Sequence, residues 1–184
     1  MVGFYSKAVR VLVIGALCTS TYGQVAMESP ERKLAVDYVS WTTPKSSADG
    51  DNPFRKAALA CGESIVDELI RAANSGYQKW NAIYLLGEIG SRRGFPFLFS
   101  EYLIRADARI ATSLGSSLGP AEIDYLFANE LLADKPLREL LSNVLRDDWN
   151  ALKDQPLSDI RVFLHNKLPT IRQSCMKRSV PVSG

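Results

Sequence analysis

The chain has 184 residues, is 46% hydrophobic, and carries 22 Lys+Arg against 20 Asp+Glu with one histidine. That length and apolar content suit a single domain with a real core. The near-balance of charge excludes the strong, clustered basicity of a nucleic-acid binder.

Residues 1–23 read as an export signal. Lys7 and Arg10 precede the apolar run Val11 to Cys18, and the small polar stretch Thr19 to Gly23 leads to an expected cut before Gln24. The run is too short to cross a bilayer as a helix, which needs about 20 residues. Bacterial lipoproteins share this layout but carry a small residue before the modified cysteine; here Leu17 precedes Cys18, so no lipid anchor is expected. Taking Lys7 and Arg10 from the 22 bases leaves 20 against 20 acids, so the processed chain is expected to be neutral. The expectation is an exported, periplasmic or extracellular monomer without stable membrane insertion.

After the leader, residues 24–52 are read as an N-terminal helix followed by a polar loop. Ser29-Pro30-Glu31 places a capping hydroxyl before a proline at the first helical position, and Leu34, Tyr38 and Trp41 share one face. From Thr42 to Asn52 no apolar period remains. Residues 53–176 are read as a repeat-like helical domain. Asn52-Pro53 opens a helix whose stripe runs through Phe54, Ala57, Ala58, Cys61, Ile65, Leu69 and Ala72, with Asn74-Ser75-Gly76 as its stop. Further helices are expected over 77–89, 95–104, 108–118 capped by Asp107, 120–132, 134–152, 156–167 and 169–176. Residues 177–184 are read as a mobile tail. No Asn-Gly or Asp-Gly pair stands between alternating apolar runs, so the fold class is all-α, built from stacked helical hairpins or an irregular bundle.

A shift of 29 residues sets Ala82, Leu85, Ile89 and Gly90 against Ala111, Leu114, Leu118 and Gly119. Further on, Phe97, Glu101, Tyr102 and Leu103 meet Leu126, Glu130, Leu131 and Leu132. Pro136 to Leu152 reads as a degraded third copy. One hairpin cannot bury its apolar face alone, so such copies stack. Ala82 to Gly90, Ala-Ile-Tyr-Leu-Leu-Gly-Glu-Ile-Gly, resembles the short HEAT-like repeats of phycobilin-lyase-type proteins over about residues 77–132. The resemblance implies a curved helical stack with a binding face, and no catalytic residue carries over.

The candidate chemistry is sparse. Gly115-Ser116-Ser117-Leu118-Gly119 has the Gly-x-Ser-x-Gly spacing of serine hydrolases, with Asp147 or Asp148 and then His165 in the order of that class. The expected helix before it contradicts the strand-to-helix turn that this chemistry needs. One histidine and the spacing of the cysteines make no metal site, and no cofactor is expected. Cys61 and Cys175, 114 positions apart, are a candidate disulfide. In the chain-entropy account such a bond is worth about 4–5 kcal/mol. Glu63, Asp67 and Glu68 crowd one helix, with Asp67 expected to pair with Arg71. Nine acids and four bases lie between Glu122 and Asp159, then five bases and no acid between Arg161 and Arg178; the basic end is expected to pack over the acidic helices. Arg92, Arg93 and Phe95, in and after a hairpin loop, are the candidate binding residues. The expected role is non-catalytic binding of another protein, as an inhibitor or immunity factor, a chaperone or an assembly subunit. The alternatives are a hydrolase of extracellular material acting through Glu63 or Glu88, and a structural envelope component.

Overall fold

The computed structural model describes residues 29–42, 52–129 and 132–179. The leader with Cys18, most of the polar loop, the last five residues, and Glu130 and Leu131 of the repeat alignment fall outside them. The protein is all-helical, and no described residue lies in a strand. The helices are α1 (Pro30–Ser40), α2 (Arg55–Cys61), α3 (Val66–Asn74), α4 (Lys79–Ile89), α5 (Phe95–Arg105), α6 (Ala108–Ser116), α7 (Pro120–Ala128), α8 (Asp134–Leu145), α9 (Trp149–Leu152) and α10 (Leu157–Ser179). None is long and apolar enough to cross a membrane.

Local chemistry sets several helix starts. The Ser29 hydroxyl accepts from the Arg32 amide at 3.1 Å, and an Asp107 carboxylate oxygen accepts from the Arg109 amide at 2.8 Å. Pro30 and Pro120 occupy first-turn positions, where a missing N–H leaves no bond unmade. Helix ends depart further from expectation. The stripe from Phe54 to Ala72 is not one helix: Gly62, at φ +54°, ends α2, and a 3-10 turn intervenes before α3. The helix expected over 134–152 breaks at Arg146, and α7 stops at Ala128 rather than Leu132. Conversely, the two helices expected around Pro169 are one. Proline costs the helix a hydrogen bond and crowds the carbonyl four residues back. Here Ile160, Leu164 and Leu168 before it, and Ile171 and Cys175 after it, are all buried, so packing carries the helix through. Lys177 to Ser179, expected in the mobile tail, belong to its last turn.

One continuous apolar core joins all of this. At the N-terminal end, α1 packs on α2, α3 and α4. The carbonyls that end α1 are satisfied from afar: the Asn81 amide donates to Tyr38, Val39 and Trp41 at 3.3, 3.3 and 2.9 Å, and the Asn52 amide to Tyr38 at 3.0 Å. In the centre, α4, α6 and α10 pack against one another, and α10 also reaches α7 and α8. Two glycines permit this close approach. A β-carbon on Gly87 would lie 2.5 Å from both the Ser113 and Ser179 hydroxyls, and one on Gly115 would lie 2.6 Å from the Cys175 sulfur. Of the residues matched by the 29-residue shift, Ala82, Leu85, Ala111, Leu114 and Leu118 are all at 0% exposure, whereas Leu103 is 40% exposed and its match Leu132 is 5% exposed. The matched glycines differ in conformation, however. Gly90 is a left-handed cap ending α4, whereas Gly119 is extended and precedes α7.

Candidate functional site

The turn before α5 is held from two sides. Ser91 caps it, accepting from the Arg93 amide at 3.2 Å and donating to the Glu63 carboxylate at 2.6 Å. Arg93 turns back toward α3, pairing with Asp67 and donating to the Glu63 carbonyl at 3.3 Å. Arg92 turns the other way and meets Glu122 of α7 in a two-pronged pair, 3.0 Å on each prong. Burial raises the Glu122 carboxyl, but the hydrogen bond and charge of Arg92 outweigh it and hold the group below the usual range. Gly119 makes room for the pair, since a β-carbon there would lie 2.5 Å from Arg92 Nε and from Glu122 Oε2.

Behind this bridge the chain builds an aromatic groove of about 390 Å³, walled by Phe95, Pro96 and Phe99 of α5 and Ala121, Glu122 and Tyr125 of α7. Phe95 and Phe99, one turn apart, stack at 5.7 Å with their planes 5° apart. Tyr125 stands edge-on to both, at 6.1 and 5.5 Å. Such edge-to-face pairs add about 0.5–1.5 kcal/mol beyond their buried area. Tyr125 is 50% exposed, whereas Phe95 is 6% exposed. The expected trio of loop contacts is therefore redistributed. Phe95 is a groove wall set into the core, and Arg92 and Arg93 hold the turn in place. Phe99 was readable from its four-residue spacing to Phe95; Tyr125 comes from another helix and had no local signal.

The other candidate residues lie elsewhere. Cys61 and Cys175 are free thiols, which corrects the expected disulfide. Cys61 ends α2 in the N-terminal cluster, whereas Cys175 is buried on α10 facing Gly115 of α6, and burial pushes its thiol up. The Gly-x-Ser-x-Gly segment ends a helix: Ser117 is fully buried and donates to the Ser113 carbonyl at 3.4 Å. His165 meets Asp124 of α7 at 2.8 Å rather than Asp147 or Asp148, which lie in the exposed turn after α8. Arg161 joins the same Asp124 at 2.8 Å, so the basic helix does pack over an acidic one there. Arg71 pairs with Glu68, not with Asp67. Among the described residues no three His, Cys, Asp or Glu side chains come together as a metal site.

Glu63 is bonded to Ser91, and Glu88 is gripped by Arg55 at 3.1 and 2.6 Å. Burial raises the Glu88 carboxyl despite that partner. Glu101, equally buried, goes the other way. Its burial is outweighed by hydrogen bonds from Lys79 at 2.6 Å and Arg105 at 3.1 Å, which hold it below the usual range. A carboxyl lowered in the folded state contributes stability above its unfolded value, and that contribution is lost as pH falls through the folded value. Glu88 has the opposite sign and partly offsets the loss. Stability should thus fall on acidification through and below about pH 4, and Glu101→Gln should flatten that fall. Urea unfolding at stepped pH measures it; an unchanged pH slope in the variant would contradict the assignment.

The fold and its groove define an all-α protein with an aromatic cleft between two helices. Comparison with protein-family models, curated proteins and solved structures found no match.

Proposed function

We propose that this chain is an exported, non-catalytic binding domain that docks another protein through the groove between α5 and α7. The observation that carries the reading is Tyr125, half exposed and edge-on to the Phe95–Phe99 stack. A rigid aromatic beside a preformed groove is the usual anchor of a protein interface, because little conformational freedom is lost on binding. The partner is one that inserts a bulky apolar side chain against Phe99 and Tyr125. The Arg92–Glu122 pair at the rim offers it both signs of charge. Export rests on the three-part leader in residues 1–23. A HEAT-like relation of α4–α5 to α6–α7 rests on the matched apolar positions.

The chain beginning at Gln24, used as bait in an extract of its own envelope, is expected to recover one stoichiometric protein. Tyr125→Ala should weaken that capture about tenfold or more, the usual loss at an aromatic hot spot, while the chain still folds and loses only the stability of its two edge-to-face contacts. Equal capture by the variant would overturn the groove as the docking surface. Hydrolysis of added cell-wall polymer by the purified chain would overturn the non-catalytic reading.

A further inference from the structure

A second cleft, of about 340 Å³, opens between α6, α8 and the end of α10, and it shares no lining residue with the aromatic groove. Arg109, Arg146 and Arg178 line it, and no aspartate or glutamate does. In a chain whose charges nearly balance, that is a strong local imbalance.

The three arginines are held differently. Arg178 donates to the Asn143 and Val144 carbonyls at 2.9 and 2.7 Å, which offsets the negative end of α8. Arg109 lies over the Trp80 ring at 4.1 Å and is paired with Asp107 at 2.9 Å, so it is fixed in place and partly neutralised. It also donates to the Tyr84 hydroxyl at 3.3 Å, which leaves the Tyr84 proton free for a ligand oxygen. Arg146 is exposed, and no hydrogen bond or ion pair to a described residue holds its guanidinium. Its backbone sits at φ +43° and ψ −90°, a conformation that a β-carbon disfavours. Backbone strain of this kind concentrates at binding sites, and here it places an unpaired cation at the cleft.

We propose that this cleft binds a phosphate group, held by Arg146 together with Arg109 and Arg178. Arg146 brings the one open guanidinium fork; Arg109 and Arg178, whose forks are engaged by Asp107 and by backbone carbonyls, add charge to the same space, so that three cations against one carboxylate suit a doubly charged oxyanion better than a singly charged one. The volume lies at the small end of ligand sites. A soluble phosphate compound and a lipid headgroup carry the same chemistry, and the test separates them.

Inorganic phosphate and pyrophosphate are titrated calorimetrically into the full chain. In parallel the chain is floated with phosphatidylcholine vesicles with and without phosphatidic acid, whose headgroup is a phosphate monoester. Binding of the soluble anions identifies a free ligand, and binding to the anionic vesicles alone identifies a headgroup. In either case Arg146→Gly should weaken it about tenfold or more, the effect of removing a charged hydrogen-bond donor. Glycine tolerates the backbone at this position, so that variant should unfold no earlier than the parent. No binding to any of the probes, or binding unchanged by Arg146→Gly, overturns the proposal. Tyr125→Ala should leave it untouched, so this site and the proposed protein-docking groove stand or fall separately.

Discussion

Gly87→Val is expected to destabilise the protein by about 3 kcal/mol, the upper end of the range for overpacking. The reason lies where α4, α6 and α10 meet. Even the first added carbon would sit 2.5 Å from the Ser113 and Ser179 hydroxyls and 2.8 Å from Ser113 Cβ. Hydroxyls can rotate away, but the Ser113 β-carbon is fixed to the backbone of α6, so the helices must separate. The separation is felt through neighbouring buried side chains, Leu85, Leu86 and Leu114 among them. Valine is a better helix former than glycine by a few tenths of a kcal/mol, so the measured value is already net of that gain. Ser113→Gly should restore part of the loss, because the Ser113 hydroxyl is buried without a hydrogen-bond partner and anchors nothing. Urea unfolding followed by helix signal gives the numbers. A Gly87→Val chain as stable as the parent would show that these helices do not approach as described.

Arg172→Met should cost a comparable amount, about 3 kcal/mol, from charged hydrogen bonds each worth about 1.5–3 kcal/mol. From α10 the guanidinium donates to the Ser116 carbonyl at 3.0 Å and the Gly90 carbonyl at 2.7 Å, tying together the ends of α6 and α4. Helix-end carbonyls have no partner within their own helix, and these two find theirs in a residue 56 and 82 positions away. Methionine keeps the apolar stem, so the loss isolates the two bonds. Arg172→Lys should recover only part of it, because a point charge cannot fork across two carbonyls as a planar guanidinium does. The same urea titration applies, and a midpoint equal to the parent's would remove the clamp from the account of the fold.

The two Arg172 contacts show what sequence reading misses. Within the run Arg161 to Arg178 that residue counted as one more base over acidic helices. Arg161 and His165 do meet Asp124 that way, but Arg172 and Arg178 bind carbonyl oxygens instead. The candidate site follows the same pattern. Phe95 alone was singled out from the sequence, yet the groove needs Phe99 and also Tyr125, 30 positions beyond Phe95, and so depends on how α7 is laid against α5. Arg92 and Arg93 were read as loop contacts for a partner, and the loop that carries them is tied to α3 and α7.

What the sequence alone determined is the all-α class, the starts at Ser29-Pro30, Asp107 and Gly119-Pro120, and which faces are apolar. Capping and periodicity act between residues a few positions apart, so they are written locally. Only the tertiary structure decided that Gly62 and Arg146 interrupt helices while Pro169 does not, that two cysteines stay apart, and that three helices cross at Gly87 and Gly115. Those outcomes turn on which apolar faces are buried against which. Local signals carry no record of that competition, because the contacts that settle it join residues tens of positions apart.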